Sequence, residues 1–214
     1  MMIATLRGLM VLAGDAPIWK IDPIDQARVA CEGGASIVQL RAKRATDSVA
    51  LEWAEAIREI TRKFGVGFFV NDRFDLALAA DADGVHLGQD DVPPAEIPIA
   101  ARSRLLIGRS THSLEQAREA CKEPVDYIAF GPIFATQTKE SPSDPRGVER
   151  LAEVVLAVRP QPVIAIGGID LGNVARVAET GVAGVAVISA IAEAADPRRV
   201  TRALDEALRG CGGE

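Results

Sequence analysis

The chain has 214 residues, 48% of them hydrophobic, with 24 Lys and Arg against 30 Asp and Glu for a formal net charge of -6. That length and apolar content support one sizeable core, so a single domain over 1–214 is expected. An acidic balance argues against broad binding to nucleic acid or anionic membrane and leaves room only for a local basic pocket, suited to small-molecule ligands.

The N-terminal apolar run, Met1 to Gly14, is too short to cross a membrane, and no small-residue cleavage site follows a charged segment. It reads as a first strand, Gly8–Ala13. Further strand-like runs follow at Ser36–Leu40, Gly67–Val70, Gly84–Leu87, Leu105–Arg109, Tyr127–Phe130, Val163–Ile166 and Gly184–Ile188. Most are continuously apolar, as parallel strands covered on both faces must be. Helical patterns lie between them. In Asp47–Arg62, the residues Val49, Leu51, Trp53, Ala54, Ile57 and Ile60 fall near one face. Ser113–Cys121 opens with a capping box formed by Ser113 and Gln116. The tail around Gly210–Glu214 reads as frayed.

Eight strand–helix units in a chain of this length predict a single (β/α)8 TIM barrel, class α/β. A doubly wound sheet would more often carry a glycine-rich turn after its first strand, and Gly14-Asp15-Ala16-Pro17 lacks that fingerprint. The three cysteines, Cys31, Cys121 and Cys211, form no Cys-x-x-Cys pair. Free thiols in a reducing cytosol are the expectation, and with them a cytoplasmic location. Homo-oligomerisation stays open.

Barrel enzymes work at the C-terminal ends of their strands. Here those ends are polar: Gln39, Arg41 and Lys43 after the second strand, Asn71 and Asp72 after the third, and the stretch to Asp91 after the fourth. Ser110 and His112 follow the fifth. The longest loop, Gly131–Gly147, carries Thr136, Thr138 and Lys139, and its length predicts a functional lid. Gly167-Gly168 and Ile188-Ser189 end the last two strands, where backbone N–H groups of this fold hold phosphate. Asp72 and Asp91 beside Arg41, Lys43 and Lys139 suggest Mg²⁺ bridging a pyrophosphate.

Each residue also has a plainer explanation. Asp72 alone would cap a helix starting near Arg73, and Asp91 alone would be turn chemistry. Arg41 and Lys43 alone would be solvated, and the glycine pair alone a tight turn. Asp75 and Asp83 are assigned to surface or capping roles, and His86, inside an apolar strand, to the core. The convergence of weak signals on one rim favours a site.

The segments V-Q-L-R-A-K, V-N-D-R-F-D-L-A-L-A-A-D-A-D-G-V-H-L-G-Q-D-D, I-G-R-S-T-H-S, D-Y-I-A-F-G-P-I-F-A-T-Q-T-K, P-V-I-A-I-G-G-I and G-V-A-V-I-S-A-I strongly resemble the thiamine phosphate synthase family, in order from about Ser36 to Ile191. The resemblance implies a cytoplasmic transferase that joins a hydroxymethylpyrimidine pyrophosphate to a hydroxyethylthiazole phosphate. It implies that Gln39, Arg41, Lys43, Asn71 and Lys139 serve the pyrimidine pyrophosphate, with Ser110 on the pyrophosphate and Asp72 and Asp91 on Mg²⁺. Thr136, Thr138, Gly168, Ile188 and Ser189 would hold the thiazole phosphate, and His112 would contact substrate. Arg41, Lys43, Ser110 and Lys139 would be catalytic.

Departures exist. Ala13-Gly14-Asp15 stands where the family has Thr-Asp, Arg109 replaces a small apolar residue, and Ser141–Arg146 is an unusual loop end. Arg109 and Arg146-Gly147 are similar to the related thiazole tautomerase branch, in which a histidine at the His112 position is the acid/base. Asp72, Asp91 and Thr136-x-Thr138-Lys139 favour the synthase, since a tautomerase ionises no pyrophosphate. A non-catalytic phosphate-binding regulator on the same barrel is the remaining alternative.

Overall fold

The computed structural model describes residues 6–136 and 144–211. Eight parallel strands close into a barrel in chain order: β1 (Gly8–Gly14), β2 (Ile37–Arg41), β3 (Gly67–Asn71), β4 (Gly84–Leu87), β5 (Leu106–Thr111), β6 (Tyr127–Phe130), β7 (Val163–Ile166) and β8 (Gly184–Val187). β1 closes the barrel on β8, with Met10 opposite Ala186. The predicted (β/α)8 architecture is therefore present; β4, β6 and β7 have the expected bounds, and the ends of the other strands differ by one or two residues. The displacement matters at the rim, where Arg41, Asn71 and Ser110 are strand residues whose direction the pleat dictates.

The outer layer comprises α1 (Pro23–Gly33), α2 (Asp47–Phe64), α3 (Phe74–Ala79), α4 (Ile99–Arg102), α5 (Leu114–Ala120), α6 (Gly147–Ala157), α7 (Val174–Ala178), α8 (Ser189–Ala192) and α9 (Pro197–Cys211). α2 buries Ala54, Ile57 and Ile60 of the expected stripe, with Ala50 and Thr61 beside them, while Val49, Leu51 and Trp53 are only half-buried at its edges. Ser113 caps α5 by accepting the Gln116 N–H at 3.2 Å, but the Gln116 side chain accepts from His112 N–H and not from Ser113. That shifts the return bond of the expected capping box one residue back and fixes the end of β5. α9 runs through Gly210 to Cys211, where fraying was expected, and the rest of that tail lies outside the described residues.

Asp83 is not the surface or capping residue expected from the sequence. Its carboxylate takes a two-pronged bond from Arg58 of α2 at 2.8 and 3.1 Å and accepts the Phe68 N–H at 2.8 Å, binding α2 to the base of β3. A planar guanidinium matches a carboxylate in this way, and the desolvated pair has few alternative partners. Asp75 meets the expectation, as an exposed partner of Arg73. Cys31 is buried, and burial pushes its thiol up to about 12, with Glu32 adding to the rise. Burial also raises Cys121. Neither has thiolate character at neutral pH. Among the described residues, no helix is long and apolar enough to cross a membrane.

Candidate active site

The pleat sends alternate strand residues inward. Met10, Leu12, Ile37, Phe69, Tyr127, Ile164 and Ala186 form a separate apolar cluster inside the barrel, and all of them but Ile37 and Phe69 also line the cavity. Above them, at the C-terminal strand ends, a cavity of about 430 Å³ opens. Gln39, Arg41 and Lys43 line it from β2, Asn71 and Asp72 from β3, and Asp91 from the loop after β4. Ser110 and His112 enter from β5, Thr136 from the loop after β6, and Gly168, Ile188 and Ser189 from the ends of β7 and β8. Every predicted site residue within the described chain thus faces one space. Thr138, Lys139 and the middle of the expected lid, 137–143, lie outside the described residues.

On the β2–β4 side, the Lys43 ammonium pairs with the Asp72 carboxylate. Asp72 does not cap α3, which starts at Phe74 behind Arg73 without a side-chain cap. Its backbone is left-handed, φ 66, a region that non-glycine residues other than Asn and Asp avoid. Burial raises the Asp72 carboxyl above its ordinary range. Lys43 draws it back down, and Asp91, within hydrogen-bonding reach, adds to the rise. Two carboxyls this close repel when both are ionised, and a divalent cation between them would relieve that repulsion. The pair therefore fits Mg²⁺, which keeps water and phosphate ligands and asks for few protein ones. Asp91 also accepts the Gly88 N–H at 2.6 Å, so its turn chemistry and its place at the mouth coexist. Among the described residues, nothing pairs with the Arg41 guanidinium.

Three features of this rim were not anticipated. Asp15, at the end of β1, accepts the backbone N–H groups of Lys43, Arg44 and Ala45 at 3.1, 2.7 and 2.9 Å. Burial raises its carboxyl, but these backbone donors outweigh burial and hold it below 3.8. Its position directly after Gly14 was the available sequence signal. Arg109 turns outward from β5, donates to Gly88 O at 2.7 Å and so braces the turn that carries Asp91. The third is His86. It is buried, as the core assignment requires, yet it lines the cavity, with Nδ1 2.9 Å from Tyr127 Oη and Nε2 2.8 Å from Ser110 Oγ. Alternation along β4 could have placed it inward.

Gln39 is 1% exposed. Its amide nitrogen meets Met10 Sδ at 3.4 Å, and its Oε1 has no partner among the described residues. A buried acceptor left unmade is costly, so the site is complementary to a ligand donor at that point. Across the mouth, Gly167 and Gly168 have φ of 101 and 65. The loop after β6 lies on them, with Ile133 N–H on Ile166 O and Phe134 N–H on Gly167 O, each at 3.0 Å. A Cβ on Gly168 would sit 2.6 Å from Ala135 O and 2.8 Å from Phe134 Cβ. The glycine is thus required by the neighbouring loop itself, beyond any ligand. Ser189 opens α8, whose first N–H groups have no intrahelical acceptor and can meet an anion.

The sequence model of thiamine monophosphate synthase matches residues 9–191. The thiamine-phosphate synthase of Anaeromyxobacter dehalogenans is 46% identical over 205 residues, covering 96% of this chain and 89% of that one. That of Thermus thermophilus is 42% identical over 211 residues, covering 96% and 98%. The solved structure of thiamine phosphate pyrophosphorylase from Pyrococcus furiosus superposes with a TM-score of 0.87 at 38% identity, over 98% of this chain and 99% of that one.

Proposed function

The chain belongs to the thiamine monophosphate synthase family and is a transferase, a thiamine-phosphate synthase; we propose that it couples 4-amino-5-hydroxymethyl-2-methylpyrimidine pyrophosphate to hydroxyethylthiazole phosphate, with Mg²⁺. The observation that carries the substrate reading is the contact of Lys43 with Asp72, beside Asp91, at the mouth of a cavity whose far wall is the Gly167–Gly168 turn. One side suits a metal–pyrophosphate and the other a simple phosphate, as two anionic substrates require.

Asp72 and Asp91 would hold Mg²⁺, which when bound supplies positive charge to the pyrophosphate oxygens. Lys43 and Arg41 place fixed cations where the leaving group gains charge. Gln39 Oε1 offers an acceptor to the pyrimidine amino group. Gly168, Ile188 and Ser189 anchor the thiazole phosphate and hold the ring nitrogen near the electron-poor pyrimidine carbon, converting encounter into positioning. The apolar wall of Met10, Leu12, Ile164 and Ala186 keeps water from that carbon. No side-chain nucleophile is needed.

The test mixes both substrates with Mg²⁺ and follows thiamine phosphate and pyrophosphate, with isomerisation of a thiazole carboxylate phosphate assayed in parallel. Coupling abolished by chelator and restored by Mg²⁺ is expected. Isomerisation without coupling would move the protein to the tautomerase branch. Ligand binding without either reaction would make it a regulator.

A further inference from the structure

We propose that Tyr127 and His86 are positioning residues that hold Ser110 as a hydrogen-bond donor to the cavity, by fixing His86 as its Nε2–H tautomer. The proposal rests on the synthase reading only for the identity of the anion that Ser110 meets.

Tyr127 is fully buried below the cavity. Its ring stacks on His86 at 5.6 Å and takes the edge of Phe69 at 5.9 Å. Gly108 leaves the space it occupies, since a Cβ there would lie 2.0 Å from Tyr127 Cζ and 2.4 Å from Oη. The hydroxyl is therefore held in one place. Among the described residues, the acceptor it reaches is His86 Nδ1, at 2.9 Å. A buried O–H needs an acceptor, so Tyr127 donates and Nδ1 is unprotonated. Burial also drives the phenol pKa far up, so the donor keeps its proton.

With Nδ1 accepting, a ring that holds one proton carries it on Nε2 and donates it to Ser110 Oγ at 2.8 Å. Ser110 accepts from His86, and its own O–H turns to the cavity it lines. The reverse arrangement, with Ser110 donating and His86 Nδ1–H donating to Tyr127, strands the phenolic proton. The other histidine is an internal contrast. His112 Nδ1 lies 2.6 Å from Gly131 O, and a carbonyl only accepts, so His112 carries its proton on Nδ1. The chain has two histidines, and they face one cavity as opposite tautomers.

Long-range ¹⁵N–¹H correlation spectra of the ligand-free ¹⁵N-labelled protein read each tautomer directly. The expected spectrum has one Nε2–H ring, assigned to His86 by its loss in His86→Gln, and one Nδ1–H ring. A His86 proton on Nδ1, or on both nitrogens, overturns the proposal. Tyr127→Phe keeps the ring packing and removes the donor, so the His86 pattern should become mixed; an unchanged pattern also overturns it. The functional arm measures inorganic pyrophosphate binding with Mg²⁺. Tyr127→Phe and Ser110→Ala should each weaken it by roughly 3- to 10-fold, and the double variant should be no weaker than Ser110→Ala. Additive losses would show that Tyr127 acts by some route other than Ser110. A wild-type protein that does not bind pyrophosphate would sink the substrate reading, while the spectra still decide the tautomer.

Discussion

The Asp15 carboxylate just after β1 accepts the backbone N–H of Lys43 at 3.1 Å, and the Lys43 ammonium in turn meets Asp72 just after β3. One acid thus shapes the loop that delivers the cation to another acid.

Asp15→Ala should loosen that loop and lower turnover by roughly 10-fold through misplaced Lys43, while costing about 1 kcal/mol of stability from lost backbone hydrogen bonds. The pH dependence follows in sign. The folded carboxyl titrates below its ordinary 3.8, so the unfolded chain binds more protons as pH falls. Its stabilisation is present above the unfolded value, near pH 4, and is lost as pH drops through the lower folded value. Urea unfolding of wild type and Asp15→Asn should therefore differ at pH 6 and converge as the pH is taken down through the acid range below the unfolded value. A difference that stays constant as the pH falls would contradict the role given to Asp15.

Asp72→Asn separates charge from backbone, because Asn accepts the left-handed φ of 66 that Asp72 adopts. Turnover should fall by at least about 100-fold with loss of its Mg²⁺ dependence, and Asp91→Ala should behave similarly. Thiazole phosphate binding, read by calorimetry, should hold. Without metal, Asp72→Asn should be as stable as wild type or slightly more so, since the repulsion between the two acids is gone. A double variant with ordinary Mg²⁺-dependent turnover would remove both residues from the metal site.

Gln39→Met should leave stability equal or raised, because it replaces a buried amide whose Oε1 is unpartnered. Affinity for the pyrimidine pyrophosphate should drop by roughly 10-fold, the cost of leaving a ligand donor unmatched. Equal affinity in direct titration would mean that the amide faces no ligand donor.

Gly168→Ala should lower stability by about 1–3 kcal/mol, through a left-handed φ and a clash with Ala135 O. At a temperature where the variant is folded, thiazole phosphate binding should weaken more than pyrophosphate binding. Equal weakening of both ligands would make the glycine purely architectural.

Much of this protein was legible in the chain. Eight apolar runs separated by helical stripes determine a parallel barrel, because strands covered on both faces leave a continuous signal. The fold then places every strand end at one mouth, so Arg41, Asp72 and Ser110 could be assigned to a common rim before any distance was known. Their motifs carried the family as well.

What the chain did not disclose depends on contacts between residues far apart in it. Asp15 reaches across 28 positions to Lys43, Arg109 across 21 to Gly88, and His86 across 41 to Tyr127. Local periodicity reports which face a side chain takes, and not which hydrogen-bond partner waits there. So His86 reads as core from its apolar neighbours, while the barrel makes it the link between a buried phenol and the cavity. Asp83 reads as surface from its charge, while Arg58 makes it a brace. Packing of the barrel decided these pairings, because only the folded sheet and its helices bring donors and acceptors distant in sequence within hydrogen-bonding distance.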